Sequence, residues 1–177
     1  MKTRSWGPYN GEGRRMILLV DDDPHLTCIL RDFLSAFSCD VTAAKNGVEG
    51  LRQIMASDFD IVLCDMVMPT FPGDKFYIAV ERIKPRLCRR FIFMTGHKAD
   101  PQWDIFIRKV GGMVLWKPFH LQELITTIRT VLRKARCADV HEERMNLMRS
   151  LTGFAGQDGN GESQPANGCS GTLPVRP

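Results

Sequence analysis

Four short apolar runs in this 177-residue chain each end in polar residues that can do chemistry. Met16–Val20 leads into Asp21, Asp22 and Asp23, Ile61–Cys64 into Asp65, Phe91–Met94 into Thr95, and Met113–Trp116 into Lys117 and Pro118. If these runs are strands pointing the same way, their polar residues share one edge. Carboxylates gathered there repel one another when bare. A hard divalent cation relieves that repulsion, and Mg2+ suits an all-oxygen set because it keeps several waters and bridges to phosphate. Lys117 brings a compact positive charge for a phosphoryl oxygen, and Thr95 brings a hydroxyl donor. A carboxylate in such surroundings can be the nucleophile and become an aspartyl phosphate; Asp65 is the candidate. Transfer of this kind depends on positioning and electrostatics. A lone Asp after a strand is ordinarily a turn or cap residue. The signal is that four strand ends carry complementary groups. A competing assignment pairs Asp21 with Asp23, two apart on one strand, as nucleophile and acid of a magnesium-dependent phosphatase, but it leaves Asp65 idle.

The elements that must position these groups are legible between residues 15 and 136. Runs this short and apolar on both faces suit buried strands of a parallel sheet; Asp40–Ala44 is a fifth, weaker one. Helical periodicity separates them. Leu26, Ile29, Leu30, Phe33, Leu34 and Phe37 mark one face, and Val48, Leu51, Ile54 and Met55 a second. Phe76, Val80 and Ile83 mark a third, Trp103, Phe106, Ile107 and Val110 a fourth, and Leu121, Leu124, Ile125, Ile128, Val131 and Leu132 a fifth. Pro24 suits a first helical turn and Gly111–Gly112 a helix end. Alternating strands and helices predict an α/β, doubly wound parallel sheet with right-handed crossovers, whose chemistry collects at the C-terminal ends of the strands.

The segments Ile17–Pro24, Asp60–Pro69, Phe93–Gly96 and Trp116–Phe119, in this order and at these intervals, resemble the receiver domain of two-component response regulators. The resemblance covers about residues 15–136. It implies a (βα)5, flavodoxin-like fold with five strands in the order 2-1-3-4-5. It implies Asp65 as phosphoacceptor, with a sensor histidine kinase or histidine phosphotransfer protein as donor. It implies Asp22 as a direct Mg2+ ligand, Asp21 acting mainly through water, Asp65 as a ligand and the Val67 backbone carbonyl as the last protein ligand. Thr95 would bond the phosphoryl group after a small shift, Lys117 would pair with it, and the Lys117–Pro118 bond would be cis. Asp23 falls outside the acidic pair and reads as a helix cap. The role is regulatory, with self-catalysed phosphorylation and dephosphorylation in place of substrate turnover. The alternative is an interaction adaptor of the same fold that works without a phosphorylation cycle.

Three positions depart from the family pattern. Val114 stands three residues before the lysine, where receivers often carry the Tyr or Phe that swings inward; Trp116 lies nearby and reads mainly as a packing residue. Val67, apolar and β-branched, sits beside the phosphorylation site, and His97 sits at the same entrance; together they predict a comparatively long-lived aspartyl phosphate. Phe71 and Pro72 are unusual in the following loop. Phe71 is either exposed for a partner or buried against the third helix, and the second reading is preferred.

Composition excludes other classes. The six cysteines include no C-x-x-C pair, which argues against zinc, and as free thiols they suit a reducing, cytoplasmic setting. Lys and Arg group only loosely at 86–90 and 129–136, too weakly for nucleic acid. No signal peptide and no apolar run near the roughly 18 residues that span a bilayer is present, so no membrane partner is expected. Residues 1–14 read as a flexible leader, 137–151 as a short helical extension, and 152–177 as a disordered tail too poor in large apolar groups to fold. The fifth helix either runs past Arg136 or breaks near Cys137–Asp139. These divisions make the chain a stand-alone receiver acting on a downstream protein that the residues do not specify.

Overall fold

The computed structural model describes residues 14–96 and 101–153. The expectations for residues 1–13, His97 and residues 154–177 lie outside them. The elements are β1 (Arg15–Val20), α1 (Pro24–Ser35), β2 (Cys39–Ala44), α2 (Gly47–Ala56), β3 (Ile61–Asp65), α3 (Gly73–Ile83), a 3-10 turn (Pro85–Arg90), β4 (Phe91–Thr95), α4 (Pro101–Val110), β5 (Met113–Trp116) and α5 (Leu121–Gly153). All pairings are parallel, in the order β2-β1-β3-β4-β5.

Strand residues alternate between two buried layers. Leu18, Val20, Val62, Cys64, Phe91 and Phe93 enter one, with Ile54, Phe76, Val80 and Ile107 from α2, α3 and α4. Ile17, Leu19, Ile61, Leu63, Ile92 and Met94 enter the other, with Leu30 and Leu34 of α1 and Leu124, Ile125 and Ile128 of α5. Burial on both faces is why the central strands β1, β3 and β4 carry nearly continuous apolar runs. The chain leaves β1 for β2 on one side and returns to β3 on the other, so the topological switch point falls between β1 and β3, where Asp21 and Asp65 emerge.

Local signals act as expected at two helix ends. Asp23 caps α1, its carboxylate accepting from the N–H groups of His25 at 2.8 Å and Leu26 at 3.2 Å, with Pro24 in the first turn. After Val110, Gly111 takes φ +64°, and the Gly112 N–H returns to the Ile107 carbonyl at 3.2 Å.

The helix faces differ in places from their periodicity. Val48 and Met55, expected on the inner face of α2, are exposed. The buried stripe there is Gly47, Gly50 and Ile54. A Cβ at Gly50 would lie 3.0 Å from the Phe76 ring, so α2 sits close against α3 through its glycines and turns its larger side chains outward. Ile29 and Ile83 are exposed as well.

Two compact units result, one ending at Asp139 and one beginning at Val140. Within the first, Asp60 accepts from the Met16 N–H at 3.0 Å and pairs with Arg15 at 3.2 Å. α5 itself is continuous through Cys137–Asp139 and includes Thr152 and Gly153, the first two residues assigned to the tail. In the second unit, Val140, Met145, Leu147, Met148 and Leu151 are exposed. No helix among the described residues is long and apolar enough to cross a membrane.

Candidate functional site

Asp21 directly follows β1, its N–H extending the β1–β2 ladder to the Ala44 carbonyl at 3.1 Å. Its side chain is held twice: Oδ1 accepts from the Asp23 N–H at 2.9 Å and Oδ2 from Lys117 Nζ at 2.7 Å. Asp65 closes β3. Its Oδ2 accepts from the same Lys117 Nζ at 2.7 Å and its Oδ1 from the Val67 N–H at 3.1 Å. Lys117 follows β5, beyond β4, and its four-carbon stem spans the intervening strand to bridge the two carboxylates. The Lys117 N–H donates to the Thr95 carbonyl at 2.8 Å, fixing the base of that reach.

Asp22 is exposed, yet carboxylate oxygens of Asp21, Asp22 and Asp65 lie within 4.8 Å of one another. Three such groups at this separation form an oxygen-donor set that can hold a divalent metal ion. Burial raises the Asp21 carboxyl above its ordinary range, although the Lys117 hydrogen bond pulls the other way. Burial also works against the charged Lys117, but its hydrogen bonds to Asp21 and Asp65 outweigh that and raise the ammonium group above the usual lysine value. Asp23 behaves differently. The backbone N–H groups of Leu26 and His25 hold it below the usual carboxylate value, and it is committed to the cap. The competing pairing of Asp21 with Asp23 thus has its acid occupied elsewhere.

The loop after β3 is drawn back over the strand end. The Gly73 N–H donates to the Met66 carbonyl at 3.1 Å, and a Cβ on Gly73 would sit 2.5 Å from the Asp65 carbonyl oxygen. Only a glycine lets α3 start this close to the candidate nucleophile. Within the loop the Phe71 N–H bonds the Pro69 carbonyl at 2.8 Å across Thr70, whose φ is +73°, a γ-turn geometry strained for a β-branched residue. Phe71 is half-buried, packs against the layer that includes Phe76 of α3, and lies close to Gly47 at the start of α2.

Of the sequence-designated residues, the structure brings Asp21, Asp22, Asp65 and Lys117 together. The Val67 backbone joins them through its N–H, while its side chain is 43% exposed at the mouth. Thr95 ends β4 and is fully buried. Val114 packs into the layer beneath α2, α3 and α4. Trp116 is half-buried, in register with Thr95. The Lys117–Pro118 bond is cis. Sequence reasoning missed the close contact at Gly73; its signal was the Pro-Gly pair that opens a helix shortly after Asp65.

Residues 17–129 match the family described as the response regulator receiver domain. CpdR, a response regulator receiver protein of Brucella abortus, is 31% identical over 121 residues, which cover 67% of this chain and 97% of CpdR. A transcriptional regulatory protein of Haemophilus influenzae, a CpxR homolog, is 30% identical over 119 residues. That match covers 67% of this chain, which spans about half (51%) of the regulator. Among solved structures, one described as adenylate cyclase from Rhodopirellula baltica superposes with a TM-score of 0.67 at 28% identity, covering 75% of this chain and 98% of that one. A CheY-like receiver domain protein of Methanospirillum hungatei shares the fold with a TM-score of 0.66 at 24% identity, over 71% of this chain and 99% of its own.

Proposed function

We propose a function from one premise: this chain belongs to the response regulator receiver domain family. It accepts a phosphoryl group on Asp65 from the phosphohistidine of a sensor histidine kinase or histidine phosphotransfer protein. It then signals through a changed partner-binding surface. The observation that carries this reading is the pair of hydrogen bonds that Lys117 donates to Asp21 and Asp65, each 2.7 Å, inside the three-carboxylate cluster.

The carboxylate cluster supplies an oxygen-donor set that fits Mg2+. Asp22 and Asp65 would hold it together with the Val67 carbonyl, and Asp21 would act through water. When bound, the cation offsets the repulsion among the carboxylates and draws charge from the phosphoryl oxygens. An Asp65 carboxylate oxygen attacks phosphorus, the P–N bond to histidine breaks, and the imidazole keeps the electron pair. Lys117, already held at the Asp65 oxygen, pairs with a phosphoryl oxygen, and the Thr95 hydroxyl donates to another after a small shift. The added charge biases a two-state loop arrangement, which a partner reads.

The receiver occupies residues 15–136, with a helical extension of α5 that runs on to Gly153. The single-domain reading is supported by CpdR, which is matched over nearly its whole length. The output surface is the face of α4, β5 and α5, and Val114 makes its coupling to Thr95 independent of an inward-swinging ring. Exposed Val67 shields the acyl phosphate from water and prolongs its life.

Incubation with Mg2+ and acetyl phosphate, followed by intact-mass measurement, tests the reading. A single phosphate adduct that disappears in Asp65→Ala is expected. No adduct with any phosphodonor transfers the function to the adaptor reading, in which the fold works through protein contacts alone.

A further inference from the structure

The stretch of α5 from Val140 to Leu151 presents an apolar stripe to water. Val140 is 56% exposed, Leu147 62% and Leu151 63%. With Arg144 these residues recur at intervals of four, three and four, the alternation of a coiled-coil seam. This stretch prolongs the 33-residue α5 with no packed face of its own among the described residues, and most helical stability comes from such a face. From these features we infer that the α5 extension pairs in parallel with the same segment of a second copy of this chain.

The choice of occupant rests on charge. Arg144 is the one polar residue in the seam, and Glu143 precedes it. In a parallel two-stranded coil, the hole that receives a core residue is lined by the partner residue just before the equivalent core position. Arg144 of one copy therefore enters a hole lined by Glu143 of the other, and the two-fold axis repeats the pair. Val140, Leu147 and Leu151 meet their own counterparts. The segment is complementary to itself, apolar against apolar and cation against anion. A buried polar position of this kind fixes register at some cost in stability.

The same spacing, counted back along α5, reaches Cys137, an exposed free thiol. A parallel, in-register pair brings the two Cys137 residues opposite each other, and an antiparallel pair separates them. The full chain, with Cys28 and Cys169 replaced by Ser, is oxidised with copper phenanthroline. Two thiols then lose two protons and two electrons to the oxidant and form one S–S bond. A disulfide-linked dimer that Cys137→Ser abolishes is expected, together with a reversible dimer in sedimentation across a dilution series. Leu147→Glu should raise the dimer dissociation constant more than about tenfold, while Asn146→Glu, exposed but off the seam, leaves it unchanged. Glu143→Arg weakens association, and the double variant Glu143→Arg/Arg144→Glu restores it. Thermal unfolding of each variant by circular dichroism controls for folding. A monomer at every concentration, a dimer with no Cys137 link, or a dimer indifferent to Leu147→Glu overturns the inference.

Discussion

At the strand ends, Lys117 holds two carboxylates through a pair of 2.7 Å bonds, whereas two residues back from Thr95 on β4, Phe93 is held by ring packing. Its ring centroid lies 5.6 Å from that of Tyr77 and 5.8 Å from those of Phe91 and Phe106, and Gly112 leaves it the room. The first region is positioned by charge against an electrostatic cost, visible in the Asp21 carboxyl that burial pushes upward. The second is positioned by shape, and its burial is favourable. Stability and phosphoryl chemistry are therefore separable by mutation, except where backbone ties the two regions together.

The strongest test of that separation is Phe93→Ala. Loss of a fully buried ring should cost about 3–5 kcal/mol in urea unfolding, while the fraction that stays folded still takes phosphate on Asp65. A folded variant without the adduct would break the comparison. Gly73→Ala tests the junction. Its Cβ meets the Asp65 carbonyl at 2.5 Å, so a destabilisation of about 1–3 kcal/mol is expected, together with slower phosphorylation. Asp22→Asn addresses the rim alone. Mg2+ affinity by titration should fall about tenfold or more, with the metal-free unfolding midpoint no lower, because Asp22 is exposed and its neutralisation relieves repulsion from Asp21 and Asp65. Val67→Gly should shorten the half-life of the aspartyl phosphate several-fold, followed by loss of the mass adduct, with little change in stability.

The smallest effect belongs to the shape-built side. Burial pushes the Cys88 thiol up to about 11 from 9.0, with Glu81 adding to it and the Tyr77 hydrogen bond opposing. The unfolded chain loses this proton first. The thiol's contribution is thus fully present below pH 9.0 and is lost as pH rises through about 11. The stability of the natural chain relative to Cys88→Ala should decline across that window and stay flat below it.

How far the sequence carried differs by element. The central strands β1, β3 and β4 were legible to within about a residue because burial on both faces leaves an unbroken apolar run, whereas the edge strand β2, half-buried and mixed in sequence, gave a weaker signal. Asp23 as a cap was legible because the capping bonds are local. The inner face of α2 was not. Its periodicity favoured Val48 and Met55, but Gly47 and Gly50 make the contact, and only the neighbouring Phe76 and Phe71 give those glycines their meaning. Phe71, expected to be buried against α3, is half-buried on the layer that holds Phe76 of α3; that it also closes on Gly47 of α2 could not be read from the sequence.

The candidate site divides in the same way. Residue types after the apolar runs drew Asp21, Asp22, Asp23, Asp65, Thr95 and Lys117 to one candidate edge, and the family resemblance set Asp23 aside, because the period of the pleat is set by the chain itself. That one lysine bridges Asp21 and Asp65 across β4 could not be read from spacing, since the two carboxylates are 44 residues apart and meet through strand order. Local chemistry is written in the sequence; which local chemistries become neighbours is decided by long-range pairing of β1, β3, β4 and β5, and by the one glycine at position 73 that lets the backbone close over the acid.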